Sequence, residues 1–229
     1  MGELKLETML DPEYEKFISV ANDFVVNWIT DRTDVHRAVD LGAHVGMYAV
    51  KLGRACISTL AVEPCPWTFR YLLNNIRANR LEPMVQPLQC AATAKTGGFV
   101  RLRLNQNSLE TVSPWLNSLC DFGGFAPAIN VNDLLELHPP DFLKIDIEGM
   151  EHEVVPAIRP ELLHKIRYIY LEIHNLNDGT GHFEPGHEDL DLFGLLKSEG
   201  FQRLTLFSNT DENGKTVEQE GIWGNGRFL

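Results

Sequence analysis

The sequence predicts an α/β fold in which mostly parallel strands alternate with helices and an antiparallel hairpin ends the chain. Three stretches predict it. At residues 39–50, V-D-L-G-A-H-V-G-M-Y-A-V, an apolar strand passes through a glycine turn into a helical pattern. Residues 57–80 follow the same order, from I-S-T-L-A-V through Glu63-Pro64 into a helix. Residues 142–158 do so from F-L-K-I-D-I through Gly149. Apolar strands that alternate with helices are those of a parallel sheet.

Taken in order, residues 12–29 place Tyr14, Phe17, Ile18, Ala21, Phe24, Val25 and Trp28 at three- and four-residue spacing, which is an amphipathic helix packed on the sheet. A polar turn leads to the first strand at 36–41, and a helix then starts near Ala43 or His44. Residues 57–62 form the second strand, 66–80 a helix and 84–93 a third strand. Residues 99–104, F-V-R-L-R-L, alternate apolar and basic side chains, as a half-exposed strand does. Residues 105–124 are an irregular polar excursion, 127–131 a short strand and 132–137 a short helix stopped by Pro139-Pro140. A buried strand follows over 142–147, a helix from Gly149 to about 158 and a strand over 166–173. Residues 175–188 are rich in glycine and histidine and are placed to act as a lid. A helix at 189–198, a strand at 201–207, a turn at 209–215 and a strand at 221–229 complete the chain.

At 229 residues the chain can bury one α/β core and is too short for two full ones. It divides into a helical extension over 1–35 and a main domain over 36–229. The net charge of −12 argues against binding nucleic acid, which needs Lys and Arg to neutralise phosphates, and leaves a small molecule, a glycan or a protein as partner. Cys56, Cys65, Cys90 and Cys120 form no C-x-x-C pair and no zinc spacing; Cys56 and Cys90 sit in apolar segments as buried thiols. A reducing, cytoplasmic setting follows. The N-terminus carries no basic-then-apolar leader, and no run reaches membrane-span length, so no membrane partner is expected.

The turn at 42–46 identifies a class of ligand. Gly42 lets the chain turn, and Gly46 lets a group approach the backbone. The dinucleotide pattern G-x-G-x-x-G is absent, and Asp40 precedes the first glycine. An anion there repels a pyrophosphate and suits a ligand with an ammonium and a sulfonium, as in S-adenosylmethionine. Glu63, 21 residues beyond Gly42, falls where an acid reaches ribose hydroxyls. In the third stretch, Lys144, Asp146 and Glu148 share one face of a strand, since strand side chains alternate. Buried charges there are paired or functional. A Lys144–Asp146 ion pair is one reading; the position of Asp146 at the strand's carboxyl end favours a functional role. Glu172 and His174 share a face at the end of the next strand.

The segments V-D-L-G-A-H-V-G, V-E-P and L-K-I-D-I-E-G-M-E, with Asn74-Asn75 and Asn79, resemble the FkbM-type family of S-adenosylmethionine-dependent methyltransferases over residues 36–207. The resemblance implies the class I methyltransferase fold, a Rossmann-like three-layer sandwich with a seven-stranded sheet, and O-methylation of a hydroxyl on a small molecule or sugar. By position, Asp40, Gly42, Ala43, His44 and Gly46 would hold the methionine end, Glu63 and Pro64 the ribose, and Cys90 and Ala91 the adenine. His44 stands where the family more often has Asn. S-adenosylhomocysteine would be the product. Methyl transfer is an in-line displacement that depends on positioning, and an alcohol also needs a base. His174 has the right intrinsic pKa, Asp146 could orient the acceptor or the imidazole and also touch the cofactor, and Glu148 is a weaker candidate. A divalent metal on Asp146 with Glu172, His174 or Asn175 is a less favoured route, and no metal site is assigned. The alternatives are a non-catalytic binding or scaffold protein with this fold, and a NAD-dependent oxidoreductase.

Overall fold

The structure, a computed structural model, describes residues 23–95, 97–104, 111–112, 122–174, 191–210 and 216–229. Its strands are β1 (Arg37–Leu41), β2 (Ser58–Val62), β3 (Val85–Leu88), β4 (Ala91–Thr93), β5 (Phe99–Leu104), β6 (Thr111–Val112), β7 (Phe122–Asn130), β8 (Phe142–Ile145), β9 (Tyr168–His174), β10 (Phe201–Thr210) and β11 (Thr216–Asn225). Its helices are α1 (Asp23–Thr30), α2 (Met47–Arg54), α3 (Pro66–Ala78), α4 (Val131–Leu137), α5 (Glu151–Ala157), α6 (Pro160–Leu163) and α7 (Leu192–Ser198).

Seven strands form one sheet in the order β10-β11-β9-β8-β1-β2-β3. β11 runs antiparallel to β10 and β9, and the pairs among β9, β8, β1, β2 and β3 are parallel. Alternation along the strands sorts the core into two faces. Val39, Leu41, Leu143, Ile145, Ile169 and Leu171 pack under α4, α5 and α7 through Leu134, Val154 and Leu196. On the opposite face, Ala38, Phe142, Tyr168 and Tyr170 meet Val25, Val26 and Ile29 of α1 and Tyr48 and Leu52 of α2. Leu72 and Ile76 of α3 cover Ala61 and Val85 beside them. Helices on both sides of the sheet explain why its central strands are apolar on both faces, and the three-layer expectation holds.

Several expectations need correction. α2 begins at Met47, not near residue 43 or 44, because Gly42, His44 and Gly46 have φ of 79°, 51° and 92°, a left-handed backbone that no α-helix accepts. The strand expected over 84–93 is two. β2 ends at Val62, whose partner is Leu88, so the chain beyond has no neighbour in the main sheet. Ala91–Thr93 pairs instead with β7. The short strand at 127–131 is the nine-residue β7, longer because it also pairs with β5 in a second sheet of order β4-β7-β5-β6. β8 stops at Ile145, and Glu148 has a φ of 56°, so Lys144, Asp146 and Glu148 do not continue one strand face. Cys56 is exposed, at a φ of 64° just past α2, whereas Cys65 is buried with Cys90. The final strand runs over Thr216–Asn225, earlier than 221–229. Of the amphipathic helix at 12–29, α1 is the described part; residues 12–22, Cys120, the lid at 175–188 and most of 105–124 lie outside the described residues.

Candidate active site

The chain leaves β1 at Leu41 and turns in the loop 42–46, at the carboxyl ends of the parallel strands where open α/β sheets bind ligands. Gly42 is required there by packing as well as by conformation. A Cβ on it would lie 1.7 Å from the carbonyl oxygen of Asp146. The amides of Gly42 and Ala43 both donate to the Val62 carbonyl, at 3.0 and 2.9 Å, which ties the loop to the end of β2. Gly46 does admit a close neighbour, but that neighbour is Leu72 of α3, whose Cδ1 would stand 2.5 Å from an added Cβ. Asn75, also in α3 and fully buried, donates its side-chain amide to the Val45 carbonyl at 2.8 Å.

Glu63 holds this loop from the other side. Its Oε2 accepts from the His44 amide at 2.8 Å, and its Oε1 accepts from the Cys65 amide at 2.8 Å and the Thr68 hydroxyl at 2.7 Å. Burial to 3 % exposure pushes its pKa up, and these hydrogen bonds oppose the shift. A carboxylate oxygen offers two lone pairs, so Oε2 retains one acceptor site.

Behind the loop lies a buried ionic group. Lys144 and Asp40 are register partners in β8 and β1, at 2 % and 0 % exposure, with Nζ 3.3 Å from Oδ1. The same ammonium lies 3.0 Å from Asp146 Oδ2 and donates to the Gly42 carbonyl at 3.1 Å. The Tyr48 ring lies 5.0 Å from it. Burial works against the charge of Lys144, but Asp146 and Asp40 outweigh it and raise its pKa above the ordinary lysine value. Burial raises the Asp40 carboxyl, with Lys144 working the other way. The ion pair anticipated for Asp146 is therefore present, and Asp146 is still 27 % exposed.

The segment after β8 is a turn held by its own glutamate. Glu151, fully buried, accepts from the Ile147 amide at 2.8 Å and the Gly149 amide at 2.9 Å. Glu172 and Glu220 stand directly opposite each other in β9 and β11. The Tyr170 hydroxyl is hydrogen-bonded to Glu220 and lies 3.3 Å from Glu172, which eases the repulsion of facing carboxylates. His174 ends β9 opposite Glu218; its imidazole and Asn175 lie outside what is described. Among the described residues, no group of three or more His, Cys, Asp or Glu is arranged to hold a metal ion. Nor, among them, is any helix long and apolar enough to cross a membrane.

The structure thus brings Gly42, Ala43, His44, Glu63, Asp40 and Asp146 together at the loop that follows β1, with Pro64 next to Glu63 in the chain. Cys90 and Ala91, between β3 and the start of β4, are buried at 1 % and 9 % exposure, and burial pushes the Cys90 thiol up to about 12. Glu148 sits in the turn beyond Asp146. Sequence reasoning missed two supports, Thr68, which grips Glu63, and Glu151, which grips the turn, and did not foresee that Lys144 also reaches Asp40 and the Gly42 carbonyl. A glutamate two residues after Gly149 was the available signal for Glu151.

Comparison with known proteins decides the family. The profile of the FkbM methyltransferase domain matches residues 40–203, from Asp40 through the loop, Glu63 and L-K-I-D-I-E-G-M-E. The chain belongs to that family. Methyltransferase sdnD of Sordaria araneosa is 27 % identical to this FkbM chain over 197 residues, covering 71 % of this chain and 72 % of that protein. Streptococcus pneumoniae Sp1610, a candidate tRNA (m1A22) methyltransferase, superposes with a TM-score of 0.50 at 13 % identity, over 95 % of this chain and 71 % of that one. The METTL16 methyltransferase domain does so with a TM-score of 0.51 at 14 % identity, over 96 % and 70 %. At those identities the likeness is one of fold, the Rossmann-like sheet of class I methyltransferases.

Proposed function

We propose that this FkbM methyltransferase takes its methyl group from S-adenosylmethionine, releases S-adenosylhomocysteine, and methylates a hydroxyl of a small molecule or sugar. One observation carries the reading. Glu63 and Asp146 flank the Gly42 loop with carboxylates, while the cation between them, Lys144, is taken up by three protein oxygens. Carboxylates on either side of the loop, with the Lys144 ammonium already engaged by protein oxygens, suit a ligand of hydroxyls and positive charge and disfavour the pyrophosphate of NAD.

The residues present fit that donor. The remaining acceptor site on Glu63 Oε2 suits a ribose hydroxyl, with Pro64 shaping the chain beside it. Ala43, His44 and the glycines suit the methionine end, and Cys90 and Ala91 the adenine. Asp40 is wholly buried and balanced by Lys144, so it serves by holding the loop, and the exposed negative charge is that of Asp146. When bound, the donor supplies an electrophilic methyl group on a sulfonium. The chain's part is to fix the acceptor in line and take its proton. His174 has the intrinsic pKa for that step, Asp146 orients the imidazole or the hydroxyl, and Glu148 is a further carboxylate in reach of the same turn.

Isothermal titration with S-adenosylmethionine, S-adenosylhomocysteine and NAD tests the donor. Binding of the first two and not the third is expected; NAD alone binding would end the reading. Radiolabelled methyl transfer to a panel of hydroxyl-bearing acceptors, with amines as the comparison, then tests the O-methylation. Label that is carried only by amines would refute it, and a chain that binds the donor without turning over would be a binding protein.

A further inference from the structure

We propose that Lys144 is a positioning residue that ties the donor loop to the acceptor side of the crevice; this rests on the reading that the donor binds beside Gly42. At 2 % exposure Lys144 meets no substrate itself. An ordinary cross-strand ion pair would be complete with Asp40, its register partner. The ammonium goes further. It reaches the Gly42 carbonyl at 3.1 Å, on the peptide that continues into Ala43 and His44, and Asp146 at 3.0 Å, whose side chain keeps 27 % exposure.

The ammonium donates to the Gly42 carbonyl and is ion-paired with the Asp40 and Asp146 carboxylates, so it links two segments, and the Tyr48 ring covers a further side at 5.0 Å. A compact ammonium on a flexible stem can aim in three directions, which a planar guanidinium cannot. The two segments also touch directly, where the Asp146 carbonyl occupies the space of a Gly42 Cβ. Displacing the Gly42 peptide therefore moves the ammonium and with it the Asp146 carboxylate. The position of the loop and the aim of Asp146 are set together.

Lys144→Met removes the tie but leaves Asp40 buried without its partner, so stability falls as well. Asp40→Leu/Lys144→Met replaces the pair by apolar side chains, a change that tends to be neutral or stabilising. S-adenosylhomocysteine is the probe, titrated at 10 °C, where circular dichroism verifies that each variant is folded. The double variant should regain the melting temperature that Lys144→Met loses, yet bind the probe at least about tenfold more weakly than wild type. Binding within twofold of wild type in the double variant would overturn the tie, since lost stability would then account for the single variant. Should neither variant fold, the wild type carries the test through the ¹⁵Nζ resonance of its buried Lys144 ammonium. That resonance should shift on saturation with the probe, and an unmoved resonance would overturn the proposal. A wild-type chain that takes up no probe refutes the donor reading itself, which distinguishes that failure from a failure of the tie.

Discussion

Gly42→Ala puts the loop's packing to a quantitative test. The residue has a φ of 79°, where an L side chain costs about 1–2 kcal/mol. Its Cβ would also lie 1.7 Å from the Asp146 carbonyl oxygen and 2.9 Å from the carbonyl carbon, so backbone has to retreat by more than an ångström. A backbone carbonyl cannot rotate away as a side chain would, and overpacking of this kind costs about 1–3 kcal/mol. The two effects together come to about 2–5 kcal/mol, a large part of the about 5–15 kcal/mol typical of a domain. Gly200→Ala is the control. It has a φ of 90° with nothing within 4 Å of an added Cβ, so it carries the conformational effect without the clash. Urea unfolding should show a loss of about 1–2 kcal/mol for Gly200→Ala, with S-adenosylhomocysteine affinity unchanged. Gly42→Ala should lose at least about 1 kcal/mol more and weaken the ligand at least about tenfold. Equal losses in the two variants would refute the argument that the Asp146 carbonyl is what excludes a side chain.

Glu63→Gln keeps one acceptor oxygen where two now serve the His44 and Cys65 amides and the Thr68 hydroxyl, and it should lose about 1–3 kcal/mol by urea unfolding. It should also weaken S-adenosylhomocysteine, and unchanged titration would remove Glu63 from the ligand. Asp146→Asn should slow methyl transfer about 100-fold or more while weakening the ligand far less. Equal losses in affinity and turnover would assign Asp146 to donor binding alone. His138 adds a pH dependence: burial lowers its pKa, with the Ser58 carbonyl at 3.0 Å partly opposing, so the unfolded chain takes up the proton first as pH falls. The stability it contributes is complete above about pH 6.5 and is lost as pH drops through the lower folded value. Urea midpoints at pH 7.5 and 5.5 should separate less for His138→Gln than for wild type, and an unchanged separation would acquit this residue.

What could be read along the chain was whatever local chemistry decides. Apolar alternation located the strands of the main sheet, and glycine and acid at strand ends located the crevice, because turns and strand ends need particular residues at particular places. The second sheet was not legible. Ala91–Thr93 and β7 find each other across the 36 residues between Ala91 and its partner Ala128, and such pairing depends on where β2 runs out of partners, not on either segment.

The same division runs through the site. The sequence by itself determined the fold class, the family segments and the identity of Asp40, Gly42, Glu63 and Asp146 as special residues. Only the tertiary structure decided what each one faces. It turned Asp40 inward to Lys144, gave the space beside Gly46 to Leu72, and filled the place of the Gly42 side chain with the Asp146 carbonyl. The physical reason is that a charge or a missing Cβ is written locally, whereas the atom that answers it comes from a segment roughly a hundred residues away in Lys144 and Asp146, brought close by the parallel pairing of β1 with β8.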